Sequence, residues 1–169
     1  LTVPNIISLL RIALIPLFVA LLLVQSLENR IAASIIFALL AASDAMDGYL
    51  ARRLNAVSIF GKFIDPLADK ILVISALLAL IELRAVSSIP VMIIVAREFI
   101  VTAFRLSAAG KGVVIPAEIL GKVKTVLQMA AVLWLMLAWP YGTVVLWLAA
   151  LMTVISGVDY LCRSWGKVF

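Results

Sequence analysis

The sequence predicts an all-α integral membrane protein of six transmembrane helices, and three observations carry that reading. Hydrophobic residues make up 66% of the 169 positions and mean hydropathy is +1.24, whereas a soluble domain is nearer half apolar. Charge-free runs occupy 12–27, 31–43, 71–81, 85–96 and 125–158. Basic residues gather in alternate connections between those runs. The length suits a single membrane-embedded domain over residues 1–169.

A span needs about 20 residues, so the shorter runs reach that length only if polar residues enter the helices. The first helix is expected over 5–27. It opens in "LTVPNIISLLRIALIP", which has no basic n-region and no small-residue cleavage site, so it reads as mature sequence rather than a signal peptide. The second, 31–54, starts beyond Glu28 and Arg30 and continues into "SDAMDGYLARR". The third, 59–82, opens on "IFGKFIDPLADK" and ends before Arg84. Its Pro66 would bend a helix interior, and a kink near the helix start is the only role it suggests. The fourth, 88–108, contains "AREFIVTAFR", and the fifth, 118–139, begins with "GKVKT". "WPYG" at 139–142 separates it from the sixth, 143–163, with Pro140 and Gly142 supplying the turn.

Charge sets the orientation. Arg52, Arg53 and Lys62 mark the second connection, Arg105, Lys111, Lys122 and Lys124 the fourth, and Arg163 and Lys167 the C-terminus. The first and third connections pair Glu28 with Arg30 and Glu82 with Arg84, and the fifth is uncharged. The positive-inside rule then places both termini in the cytoplasm. The net charge of +5 is accounted for by orientation and anionic lipid, so nucleic acid is not an expected partner. The chain has no histidine and a single cysteine, Cys162. This excludes an intramolecular disulfide, histidine-based triads and the usual zinc sites.

Against this apolar background stand Asp44, Asp47, Asp65 and Asp69. On a helix, Asp47, Gly48 and Ala51 fall within about 60° of Asp44. Gly61, Asp65 and Asp69 line one stripe of the next helix, roughly 6 Å apart along its axis. Two antiparallel helices with a short turn near 54–58 would gather the four carboxylates, and the small residues would leave a cleft. Such a cluster needs counter-charge. Oxygen ligands alone suit hard divalent cations, magnesium or manganese, and a pair of such ions would clamp a pyrophosphate. Arg52 and Lys62 could neutralise further phosphate oxygens. The plainer alternative, a proton relay, cation pathway or structural ion pair, suits one or two membrane aspartates better than four beside three small residues.

The stretch D44-x-x-D47-G48-x-x-A51-R52-x8-G61-x3-D65-x3-D69 resembles, in full, the signature of the CDP-alcohol phosphotransferases. The resemblance implies that family's fold of six membrane helices, with the motif on the second and third. It implies transfer of a phosphatidyl or similar group from a CDP-linked lipid to an alcohol, releasing CMP. Asp44, Asp47 and Asp65 match the family's metal ligands, and Asp69 a further ligand that serves as the catalytic base. Gly48, Ala51, Arg52 and Gly61 match positions around the nucleotide and its diphosphate. The cofactor so implied is Mg²⁺ or Mn²⁺, as two ions. A homodimer in a bacterial inner membrane, contacting membrane lipids, with the site facing the cytoplasm, is implied as well.

The acceptor is addressed by the remaining in-span charge. Arg97 and Arg105 lie roughly 80° apart on the fourth helix, and Lys122 and Lys124 open the fifth. Four cations converging from two helices suggest a pocket for a second anion. Alternatively, Glu98 pairs with one arginine and the lysines mark the membrane interface, but that leaves Arg97 deep in an apolar run unexplained. These two stretches, with Pro4, Asn5 and Arg11, resemble the branch of the family that uses sn-glycerol 3-phosphate with CDP-diacylglycerol. The acceptor phosphate would then sit among Arg97, Arg105, Lys122 and Lys124. Inositol phosphate is the nearest rival acceptor. From another class, a small cation transporter would need polar positions through to the far side, and runs 12–27, 31–43 and 71–81 offer only Gln25, Ser26, Ser34, Ser43 and Ser75.

Overall fold

The computed structural model describes the backbone of residues 3–53, 59–111 and 119–168, and the side chains of 9–43, 67–68, 70–111 and 119–166. Among these residues the chain is helical, with six helices as the sequence predicts: α1 (Val3–Leu23), α2 (Leu27–Arg53), α3 (Ile59–Glu82), α4 (Ser88–Gly110), α5 (Ile119–Met136) and α6 (Gly142–Val168). Leu1–Ala85 with Val132–Trp139 form one compact unit, and Val86–Ala131 with Pro140–Phe169 a second.

In the first unit α1 packs against both α2 and α3. Phe18 of α1 and Phe37 of α2 are fully buried, with ring centroids 5.7 Å apart. Ala33, Ala68 and Ala76 have no exposed surface, which lets neighbouring helices approach closely. In the second unit α4 packs on α6, around Val91, Ile94, Leu146, Ala149 and Ala150.

The helix ends explain where the observed boundaries leave the expected ones. Gln25 takes a left-handed φ of 60°, and the Ser26 hydroxyl accepts the Asn29 N–H at 3.1 Å. That N-cap starts α2 at Leu27, so Glu28 and Arg30 belong to its first turn rather than to a connection. Arg30 stays in the helix because its guanidinium has a partner. Nε and Nη2 donate to the Met136 carbonyl at 3.1 and 2.9 Å, closing one of the orphan acceptors at the end of α5.

Helices α3 and α5 end alike. Ala85 N–H donates to Leu80 O and Arg84 N–H to Ile81 O, and Trp139 N–H to Trp134 O and Ala138 N–H to Leu135 O. These are Schellman closures, with Arg84 (φ 55°) and Ala138 (φ 51°) in the left-handed position usually given to glycine. Trp134 and Trp139 meet edge-on at 5.0 Å across the second closure. The turn at 139–142 is where the sequence predicts it, with positive φ at Ala138 and Tyr141 and Gly142 opening α6. Helix α6 runs five residues past its expected end, carried by an Asp159–Arg163 pair one turn apart at 2.7 Å.

Exposure is inverted relative to a soluble protein. Leu39, Met92, Phe99 and Val126 are 63–67% exposed while Arg11, Lys124 and Gln128 are 1–4% exposed. Apolar outer faces over buried polar groups suit a lipid surround. Among the described residues, α5 over Ile119–Met136 and α6 over Gly142–Gly166 are long and apolar enough to cross a membrane by themselves.

Candidate active site

The candidate site residues fall into two groups, one in each unit. In the first unit α2 is unbroken through Asp44, Asp47, Gly48, Ala51 and Arg52, and α3 through Gly61, Asp65 and Asp69. Regular helix puts Asp44 and Asp47 about 4.5 Å apart along one axis, and Asp65 and Asp69 about 6 Å along the other. The helix runs on through Pro66. The side chains of these eight motif residues, and those of Pro4 and Asn5, lie outside the described residues. On the described flank, Arg11 of α1 is 1% exposed and donates to the Ser43 hydroxyl at 3.1 Å. Ser43 in turn donates to the Leu40 carbonyl at 2.8 Å. A buried cation is thus bonded to the residue that precedes Asp44.

The second group sits on α4, α5 and α6. Arg97 Nη1 binds Glu98 Oε1 at 3.2 Å, and Lys124 Nζ binds the same oxygen. Side-chain exposure is 14% for Arg97 and 11% for Glu98 and 6% for Lys124. Among the described residues two cations thus share one carboxylate in a poorly solvated place, where electrostatic interactions are strong. Arg97 Nη2 also donates to the Ser156 hydroxyl at 3.1 Å. Arg105 lies two turns further along α4. Its Nε donates to the Tyr160 hydroxyl at 3.1 Å, and its guanidinium carbon stands 5.0 Å from that ring's centroid. Lys122 is exposed. The second unit therefore joins Arg97 and Lys124 through Glu98, holds Arg105 on Tyr160, and leaves Lys122 at the surface.

The family model of the CDP-alcohol phosphatidyltransferases matches residues 1–155. The chain belongs to this family. Similar proteins run its whole length. The CDP-diacylglycerol–glycerol-3-phosphate 3-phosphatidyltransferase of Bacillus subtilis is 41% identical over 182 aligned positions, covering 96% of this chain and 94% of that protein. The protein of that name from Rickettsia bellii is 37% identical, covering 96% of each. Another from Wigglesworthia glossinidia brevipalpis is 31% identical, covering all of this chain and 98% of its own.

Membership in the CDP-alcohol phosphatidyltransferases brings an expected divalent metal. The donor set fits one: four carboxylates on two continuous helices, with all-oxygen chemistry that hard cations prefer.

Ser156, Tyr160 and the buried Gln128–Thr153 bond of 2.8 Å were not reached by sequence reasoning. A signal was present: Thr153, Ser156, Gly157, Tyr160 and Ser164 recur at three- and four-residue steps along α6. Small and polar residues mixed among apolar ones hide such a stripe from hydropathy.

Proposed function

We propose that this protein transfers the phosphatidyl group of CDP-diacylglycerol to sn-glycerol 3-phosphate, giving phosphatidylglycerol phosphate and CMP. The observation that carries the reading is full-length similarity to several proteins named for that reaction. The Arg97–Glu98–Lys124 cluster, which brings two poorly exposed cations from two helices together, supports a phosphorylated acceptor.

In the mechanism we infer, Asp44, Asp47, Asp65 and Asp69 would hold two divalent ions, Mg²⁺ or Mn²⁺, which would supply charge stabilisation to the diphosphate and the CMP leaving group. Gly48, Ala51 and Gly61 leave room for the nucleotide, and Arg52 neutralises diphosphate oxygens. Arg97 and Lys124 take the acceptor phosphate, while Arg105 and Lys122 draw the dianion towards them. Asp69 accepts the proton of the acceptor hydroxyl as that oxygen attacks the β-phosphorus. The new P–O bond forms as the bond to the bridging oxygen breaks, and CMP leaves with that oxygen. This in-line displacement needs no covalent enzyme intermediate. The whole chain acts as one membrane domain with six spans, as a homodimer in a bacterial inner membrane, its site open to the cytoplasm.

The test follows CMP release by purified protein in detergent with CDP-diacylglycerol and Mg²⁺. Release that needs glycerol 3-phosphate and is lost in Asp69→Asn is the expected result. Release with inositol phosphate in its place would move the assignment to another acceptor. Absence of CMP with every acceptor, from folded protein, would refute transferase function.

A further inference from the structure

Glycine inside a membrane helix leaves space for something, and the α6 glycines differ in what they leave it for. A Cβ added at Gly166, or at Gly110 and Gly121 elsewhere, would meet nothing within 4 Å. At Gly157 it would fall 2.9 Å from Arg97 Cγ and 3.1 Å from Arg97 Nε, closer than side chains tolerate. The atom met first is in the stem of the arginine, so the side chain could not yield by moving its tip alone. Arg97 therefore lies along the bare backbone of α6 at Gly157.

Its far end is held by two further groups. Nη2 donates to Ser156 at 3.1 Å. The Ser156 hydroxyl gives its own proton to Thr153 O at 3.1 Å, which leaves its lone pairs facing the guanidinium. Nη1 meets Glu98. Arg97 Nε is buried with no partner among the described residues. A buried donor left unpaired is costly, and a pose kept in spite of it points to function.

We infer that Gly157 and Ser156 are positioning residues for the acceptor: they form a slot on α6 that fixes Arg97 in the one pose from which it meets the acceptor's phosphate. The inference rests on the assignment of Arg97 to that phosphate. Gly157 acts by having no side chain, and Ser156 by accepting from Nη2. Neither touches the reacting atoms.

The experiment is a kinetic cycle on the full-length protein with CDP-diacylglycerol and glycerol 3-phosphate. Gly157→Ala should raise the acceptor KM about tenfold, the cost of one lost charge-assisted hydrogen bond. The KM for CDP-diacylglycerol and kcat should move less than about twofold. Ser156→Ala should raise the acceptor KM about threefold, and Gly166→Ala should change nothing. In an Arg97→Ala background, Gly157→Ala should add no further penalty, because the stem it would strike is gone. An unchanged acceptor KM in Gly157→Ala overturns the inference. So does an equal penalty in the Arg97→Ala background, or a joint change of kcat and both KM values, since these mark general helix packing. If Arg97→Ala is too slow to assay, thermal unfolding reads the same cycle: Gly157→Ala should lower the midpoint only when Arg97 is present, and equal lowering in both backgrounds overturns the slot. Should wild-type protein accept a different phosphorylated alcohol, the reaction assigned above fails, while the cycle run with that acceptor still decides the role of Gly157.

Discussion

Replacing Glu98 by glutamine removes, in a poorly solvated place, the carboxylate that Arg97 and Lys124 share. Breaking a buried ion pair costs about 3–5 kcal/mol. The three side chains keep some exposure, 14%, 11% and 6%, and glutamine still offers an acceptor, so the low end applies, about 3 kcal/mol. For a chain of this size that lowers Tm by about 6–12 °C. A second consequence separates this cluster from an ordinary structural pair. A bound phosphate dianion supplies the charge that the substitution removed. Glycerol 3-phosphate at one fixed concentration should therefore raise the Tm of Glu98→Gln more than that of the wild type, and a tenfold tighter Kd corresponds to about 1.4 kcal/mol of the difference. Thermal unfolding in detergent, with and without glycerol 3-phosphate, measures both effects. A variant that melts with the wild type, or that gains no more from the ligand, would refute the reading of these cations as an anion site.

Three other outcomes are expected. Chelation of divalent metal should abolish CMP release and re-addition of Mg²⁺ should restore it, as expected if the four aspartates hold divalent ions; activity that persists through chelation would remove the metal role of the aspartates. Arg30→Ala loses both hydrogen bonds to the Met136 carbonyl, and unfolding should report a loss of about 2 kcal/mol, with Arg30→Lys recovering part of it. Arg84→Gly relieves the left-handed φ of 55° and should stabilise by about 1 kcal/mol, visible as a raised Tm with unchanged kinetics.

Sequence reasoning reached furthest where the signal was local. The motif spacing placed Asp44 and Asp47 on one helix and Asp65 and Asp69 on the next, and α2 and α3 run unbroken through them. The turn at 139–142 was legible from Pro140 and Gly142. It misplaced the start of α2, because hydropathy expels charge from a helix while Arg30 remains inside one by bonding a carbonyl 106 residues away. The end of α6 was set short, at Arg163, because that cation counted with the C-terminal charge, yet paired with Asp159 four residues earlier it supports a helix that runs on to Val168.

Composition, charge bias and motif spacing thus determined by themselves the all-helical class, the count of six helices and the family, since each is written in residue types and intervals along one chain. Which cations meet was decided only by the tertiary structure. Arg97, Arg105, Lys122 and Lys124 are equivalent as letters, but helix packing joins Arg97 to Lys124 through Glu98 and lays Arg97 across Gly157. Arg105 goes to Tyr160, and Lys122 stays exposed. A helical period says which side chains share a face; where two faces touch depends on the crossing point, and that is set by small residues such as Gly157 acting across distant stretches of chain.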